Sequence, residues 1–401
     1  MKKIIVFCML LCGAAAFSQE AMPRFEIPTA RSNGWGGHHA AYTDNVFALL
    51  VNPAAIMRVE QRSFFTLSPT LFSPQSTFDL IGSVNDMIKG DMNSFGGAMD
   101  TLSKNNGKLP LGLDIREFPL SVAWVADGFG FGLWDRIFVN PQIIGTNVRL
   151  EAYADVILPV GFAFRILDTD AHSVDAGVTV KAFARARAHE TVGIFKLAGD
   201  TDDFVDDISV PVIAGAGFDL GFLYRWDIGL SAGLTFDDIF TRGKVVSNII
   251  GEDTNSYYVP FTMNFGAAYD LVLGRFWTTA PGFLANMGFT FTFDYRDIGN
   301  LFEQDDYLKR NAVLGIGTGL QVSMFNVLKL RLGMNEMLPA VGAGVDLGPF
   351  KIDAAYYGKE FGNEPGQLSG AALDLTIAIR PGAKKRDWPW TRKSLVGLFT
   401  K

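Results

Sequence analysis

The sequence predicts an all-β protein: a transmembrane antiparallel β-barrel of about fourteen strands with an N-terminal plug and a helical insertion in the first external loop. Three observations carry this. Alternation of apolar and polar residues dominates from Gln61 onward, and a period of two sends successive side chains to opposite faces of a strand. The alternating runs are long and even in number. The 48% of hydrophobic residues are nowhere gathered into an apolar span of about 18 residues or more, so no transmembrane helix is written into the chain.

Residues 1–18 read as a signal peptide. Lys2 and Lys3 precede an apolar run from Ile4 to Phe17, with Ala16 and Ser18 at the small positions before a cut. Both cysteines, Cys8 and Cys12, fall inside it, and Leu11 stands where a lipid-anchored terminus needs a small residue. The exported chain therefore carries no thiol, disulfide or thiolate metal site. Losing the two lysines takes the formal net charge from −7 to −9, which argues against a nucleic-acid partner.

Residues 19–60 do not alternate. The stretch from Gly34 to Met57 has a polar glycine-rich opening, a short apolar helical piece (Val46, Leu49, Leu50) and a stop at Asn52-Pro53-Ala54, because proline ends a helix and restricts the residue before it. Such a segment suits a compact plug. It resembles the N-terminal hatch of the FadL-type outer-membrane long-chain fatty-acid transporters, in which a glycine-rich segment and an acidic pair lead to an Asn-Pro-Ala signature; Asp44-Asn45 matches the acidic pair in part. The resemblance implies a hatch motif at Asn52, Pro53 and Ala54.

Residues 61–380 supply the barrel. Alternating runs fall at 61–72, 117–126, 128–139, 147–166, 173–188, 208–225, 227–239, 257–272, 283–297, 309–325, 327–336, 340–348, 349–358 and 368–380. The fourth shows the pattern most fully: Leu150, Ala152, Ala154, Val156, Leu158, Val160, Phe162, Phe164 and Ile166 share one parity, whereas Arg149, Glu151, Tyr153, Asp155, Gly161 and Arg165 hold the other. Even-numbered runs end mostly in tight turns, at Asp127-Gly128, Trp226-Asp227, Asn326 and Gly348-Pro349. Odd-numbered runs lead mostly to longer segments, at 73–116, 189–207, 240–256, 298–308 and 359–367. Short periplasmic turns and long external loops are the outer-membrane arrangement.

A phrase recurs four times, Gly215 to Leu220, Gly266 to Leu271, Gly342 to Leu347 and Gly370 to Leu375, each Gly-Ala-x-x-Asp-Leu, with Gly and Asp of lumenal parity. The aspartates are expected to form a polar ring near the periplasmic mouth. The last copy resembles a barrel sorting pattern, departing from it at Leu368 and in running on to Lys401; that likeness implies recognition by the barrel-assembly machinery. Within 73–116, Phe78, Ile81, Val84, Ile88, Met92, Phe95, Met99 and Leu102 have helical spacing, suited to a cap or to a ligand-contacting lid, and this insertion too resembles the FadL-type architecture. Residues 381–401, basic and carrying Trp388 and Trp390, read as a periplasmic tail, either flexible or an interfacial or docking peptide.

Catalytic and cofactor signatures are missing from the sequence. His38, His39, His172 and His189 have no metal-binding spacing, no G-x-S-x-G occurs, and Gly128-Phe-Gly-Phe-Gly132 and Gly315-Ile-Gly-Thr-Gly319 lack the full spacing of a phosphate loop. The expectation is a protein that is not an enzyme and holds no metal or cofactor. Lys181, Arg185 and Arg187 project inward from one strand with few inward acids nearby in sequence, which suits a ligand carboxylate, although paired structural networks are the commoner use of such residues. Gly128, Gly130 and Gly132 open the third strand. They leave the inner wall without side chains, either as room for the plug or as a weak ladder and lateral opening; the FadL-type resemblance implies the second.

The function expected is passive uptake of long-chain fatty acids or other hydrophobic or amphipathic compounds by a monomeric barrel in the bacterial outer membrane, in contact with outer-membrane lipid. The alternative is a barrel of the same kind without transport, acting as a scaffold or secretion partner through its loops or tail.

Overall fold

The computed structural model describes residues 19–59, 70–74, 108–110, 113–117, 121–126, 128–144, 147–193, 209–272, 287–302, 309–325, 327–367 and 369–379. The signal peptide, the helically spaced residues from Phe78 to Leu102, Leu368 and the 381–401 tail lie outside them.

Eighteen strands form one sheet. They are β1 (Gln19–Ala21), β2 (Thr70–Pro74), β3 (Lys108–Pro110), β4 (Leu113–Arg116), β5 (Val122–Ala126), β6 (Phe129–Ile144), β7 (Asn147–Asp168), β8 (His172–Gly193) and β9 (Val210–Trp226). After these come β10 (Leu230–Ile250), β11 (Ser256–Tyr258), β12 (Thr262–Val272), β13 (Gly288–Tyr295), β14 (Ile316–Met324), β15 (Leu328–Asn335), β16 (Leu338–Asp346), β17 (Phe350–Glu360) and β18 (Ser369–Ile379). Setting β1 aside, β3, β4 and β5 lie end to end along one edge of β6 and count as one broken strand. Likewise β11 and β12 lie end to end along β10. Eighteen elements thereby become fourteen wall positions among the described residues, every neighbour antiparallel. The pairings run full circle, because β18 pairs with β2 and β2 with β4.

Parity follows the sequence. Phe162, Phe164, Phe291 and Phe293 are exposed on the outside, whereas Asp155, Thr290, Thr292 and Asp294 are buried inside. Strand ends differ more. β8 and β10 run to Gly193 and Ile250, beyond the expected 188 and 239, and β3 and β4 add wall at 108–116 inside the segment expected to be helical. The extension of β10 passes through register shifts between Phe236 and Ile239 and between Ile239 and Arg242, with Asp238 and Phe240 at positive φ. A bulge puts two successive residues on one side, so Asp237 and Asp238 are both buried and the alternation is lost there.

The four repeated aspartates do not share one level. Asp374 pairs across to Ala355 and thus to Gly342, four residues up the strand from Asp346. Asp219 neighbours β10 near Phe236, level with Thr262 and Met263, far above Asp270. The polar ring is therefore corrected to scattered inward contacts.

Residues 19–59 fill the lumen. α1 (Ala30–Gly34) is opened by a capping box in which the Ser32 amide donates to Thr29 Oγ1 and the Thr29 amide to Ser32 Oγ. α2 (Ala48–Val51) ends at Asn52, and a 3-10 turn, Pro53–Arg58, follows. Met22, Phe25, Val46, Phe47, Leu49 and Ile56 form a core with Trp134, Ile157, Phe183 and Ile213 of the wall.

Candidate functional site

Asn52 organises the plug. Fully buried, it accepts from the Ala54 amide at 3.0 Å, capping the 3-10 turn, and its side-chain amide donates to the carbonyls of Ala40 (2.7 Å) and of Phe222 on β9 (3.3 Å). Pro53 supplies the fixed φ wanted at a first helical position. Gly177 and Gly221 receive this motif: a Cβ at either would fall on Pro53 or on Asn52. On the opposite wall the chain near Gly36, itself at φ +87, lies against Gly319 and Gly333, where a Cβ would strike the Trp35 carbonyl or the Gly36 backbone. The inward glycines are the plug's seat, a role that period-two parity alone does not disclose.

Lys181, Arg185 and Arg187 do not share one open site. Lys181 pairs with Asp219 (2.8 Å) and Asp238 (2.7 Å), Arg185 with Asp155 (2.6 Å) and the Pro23 carbonyl, and Arg187 with Glu20 (3.2 Å). The expected shortage of acids is corrected. Aspartates on β7, β9 and β10 and a glutamate of the plug meet these cations from elsewhere in the chain.

The three glycines of the third predicted strand also separate. Gly128 lies in the turn before β6 at φ +79, beside Met57 and the Ala163 carbonyl. The space at Gly130 is taken by Val125, and that at Gly132 by the ring of Trp134. Trp134 is fully buried, donates its indole N–H to Glu117 at 3.0 Å and has its ring 6.1 Å from that of Phe47. Beside it the β6–β7 ladder lacks two pairs: Phe131 meets Val160 and Trp134 meets Ile157, but Gly132 and Leu133 have no partner opposite Pro159 and Leu158. Proline has no N–H to give to a ladder.

A buried ion network joins the seam where the circle meets. Asp114 accepts from Arg116 and from Arg136, at 2.7 to 2.9 Å, and Arg116 reaches Asp374 at 3.2 Å. Arg116 and Arg136 also donate to plug carbonyls at Pro28 and Glu26, and Asn33 donates to Asp374 at 2.6 Å. The plug is thus part of the seam.

Two cavities lie among the described residues. The outer, of about 430 Å³, lies towards the long connections; its lining includes Arg24, Glu26, His38, Arg296, Asn300 and Glu336. The inner, of about 490 Å³, lies towards the turns and includes Tyr42, Arg58, Arg225, Asp270 and Lys329. Within the plug, burial would raise the Glu26 carboxyl, but Arg296 and Arg24 outweigh it and hold the pKa at about 2. Burial lowers His38, with Asp294 opposing and Arg296 reinforcing, so its imidazole is neutral at pH 7. Burial and the nearby Asp44 and Asp270 push the Tyr42 phenol up to about 12. Arg31 clips Asp44 through both carboxylate oxygens.

A circle of antiparallel strands, apolar outside, charged inside and filled by its own N-terminal segment, defines a transmembrane β-barrel of the bacterial outer-membrane class. No protein-family model matches the chain, and no curated protein matches it in sequence. Among solved structures it is similar to a TodX variant described as a monoaromatic hydrocarbon channel, at 12% identity over 92% of this chain and 100% of that one, with a TM-score of 0.48. It is similar also to the toluene transporter TodX of P. putida, at 12% identity over 89% and 98% with a TM-score of 0.45. A FadL homologue of Pseudomonas aeruginosa matches at 11% identity over 89% and 100%, with a TM-score of 0.42.

Proposed function

We propose that the chain is a FadL-type outer-membrane channel, a monomer without catalytic activity, through which hydrophobic or amphipathic molecules such as long-chain fatty acids pass inward without energy input. The observation that supports this most is the pairing of a full plug with a broken ladder beside it. The plug fills the lumen, while a gap in the ladder at Gly132 and Leu133 opposite Pro159 and Leu158 lies in a stretch of wall whose outer face carries the exposed Phe131 and Leu158. Trp134 closes that gap from within. A ligand that displaced it would leave sideways into the bilayer and avoid the aqueous periplasm.

The test is uptake of N-phenylnaphthylamine, a neutral hydrophobic fluorophore, into lipid vesicles holding the full chain. Trp134→Ala is expected to speed uptake several-fold, while Trp134→Phe stays near the wild-type rate. Uptake no faster than in protein-free vesicles, for the wild type and Trp134→Ala alike, would overturn the channel reading. Mass spectrometry of molecules extracted from the folded protein would name the cargo.

A further inference from the structure

We propose a second ligand site on the turn side of the plug: the inner cavity takes a small, singly charged organic anion through Lys329, and Arg58 latches it off from the outer cavity. The site deepens the channel reading, and rests on it only for the idea that cargo moves between the two cavities.

Lys329 is the unusual member. Of the cations that line the inner cavity, it alone has no carboxylate partner among the described residues; its Nζ donates to the Ser323 hydroxyl at 3.0 Å. Arg58 has Asp270 at 3.2 Å and Arg225 has Asp175 at 2.7 Å. Elsewhere in the lumen a cation is met by an acid, as Lys181, Arg185 and Arg331 are. The Arg225 Nε is also buried without a partner. Arg58 and Arg225 are thus each held by an aspartate, which leaves Lys329 as the cation of this lining that meets no carboxylate among the described residues; the Thr290 hydroxyl is already given to Asp270 at 2.6 Å. A cavity of about 490 Å³ is of the size that holds small organic ligands. One spare ammonium, with the Ser323 hydroxyl and the Arg225 Nε–H as further donors, selects a carboxylate over a neutral molecule, since hydrogen bonds to charged groups are the stronger ones.

Tyr42 lines both cavities, the one residue that does. The Arg58 guanidinium lies 4.1 Å over its ring, donating on one side to Asp270 and on the other to the Ala41 carbonyl at 3.3 Å. Arg58 thus holds Tyr42 at the boundary that the two linings share among the described residues. An anion arriving at Lys329 competes with Asp270 for Arg58, and so loosens the residue that separates the two spaces.

The experiment uses the purified full chain in detergent, with benzoate as the anionic probe and benzyl alcohol as its neutral counterpart, followed by calorimetry. Wild type is expected to favour benzoate by about tenfold or more, the scale of one charged hydrogen bond. Lys329→Met should abolish that preference, Lys329→Arg should keep it, and Ser323→Ala should keep or strengthen it. No preference in the wild type, or an undiminished one in Lys329→Met, would overturn the site. For the latch, Arg58→Gln in vesicles should raise benzoate flux several-fold and leave N-phenylnaphthylamine uptake unchanged; equal benzoate flux would overturn the latch. Benzoate preference is an equilibrium reading that needs no transport. Failure of the channel reading, seen as absent fluorophore uptake, is therefore distinguishable from failure of the site.

Discussion

The two halves of the wall hold the plug by different means. From β6 to β10 the strands are tall, 16 to 22 residues, and besides the glycine seats at Gly177, Gly221 and Gly233 they meet the plug through large side chains. Arg136 and Arg185 grip its carbonyls, and Trp134 and Phe183 enter its apolar core. From β13 to β18 the strands have 8 to 11 residues, and glycines let plug backbone lie directly on wall backbone, as at Gly319 and Gly333. Backbone-on-backbone contact has no rotamer to change. Side-chain contact does, so the glycine seats are the fixed points and the stretch of tall wall around Trp134 is where the plug can let something pass.

The sharpest way to break this contrast is Asp114→Ala. It strips Arg116 and Arg136 of their shared carboxylate while both stay buried. Removing one partner of a buried pair costs about 3–5 kcal/mol, to be read from urea unfolding of the folded barrel in lipid. A loss below about 1 kcal/mol would mean that the seam joining β4 to the tall wall does not depend on its charges.

Next come the outer faces, where the halves should not differ. Phe162→Arg on β7 and Phe291→Arg on β13 should each cost about 2–4 kcal/mol if near the bilayer midplane and less towards the interfaces. A loss in one wall only would show that the two are set at different depths.

The seat is tested by Gly319→Val, which drives a side chain into the Trp35 carbonyl. Overpacking of this kind costs about 1–3 kcal/mol. Protease should cut the plug faster in this variant, while in Trp134→Ala the plug should stay protected.

The smallest effect is one of pH. The Glu26 pKa lies at about 2 against an ordinary 4.5, so its carboxylate contributes stability that is full above pH 4.5 and fades as pH falls towards 2. Thermal unfolding of the wild type should lose that increment over this range, and Glu26→Gln should show a flatter profile there. Identical profiles would remove Glu26 from the plug's electrostatics.

Strand number and lipid face were legible in the sequence because period two is a local property: Phe289 to Asp294 shows it within six residues. Contacts of the plug were not, because Trp35 meets Gly319 and Asn33 meets Asp374 across most of the chain. Lys181 looked unpaired for the same reason, since its acids lie on β9 and β10, and the second of them faces inward only through a bulge. Lys329 falls in the eleventh predicted strand, 327–336, two residues from Arg331 and so of the same parity, and nothing in its neighbours in sequence sets it apart. What distinguishes it is that no carboxylate among the described residues meets it, which is a property of the assembled lumen. Asn52-Pro53-Ala54 could be read early because a cap and a helix stop are local too.

The short strand β1 has a consequence in time. Gln19, Glu20 and Ala21 run parallel to Ser256, Tyr257 and Tyr258, lining the free edge that β11 keeps above the top of β13. This strand cannot form until more than half the chain has been laid into the wall, and contacts that span so much sequence form slowly. The two ends of this pairing are separated by more than two hundred residues, so the plug's first strand is tied to a part of the wall that is made late.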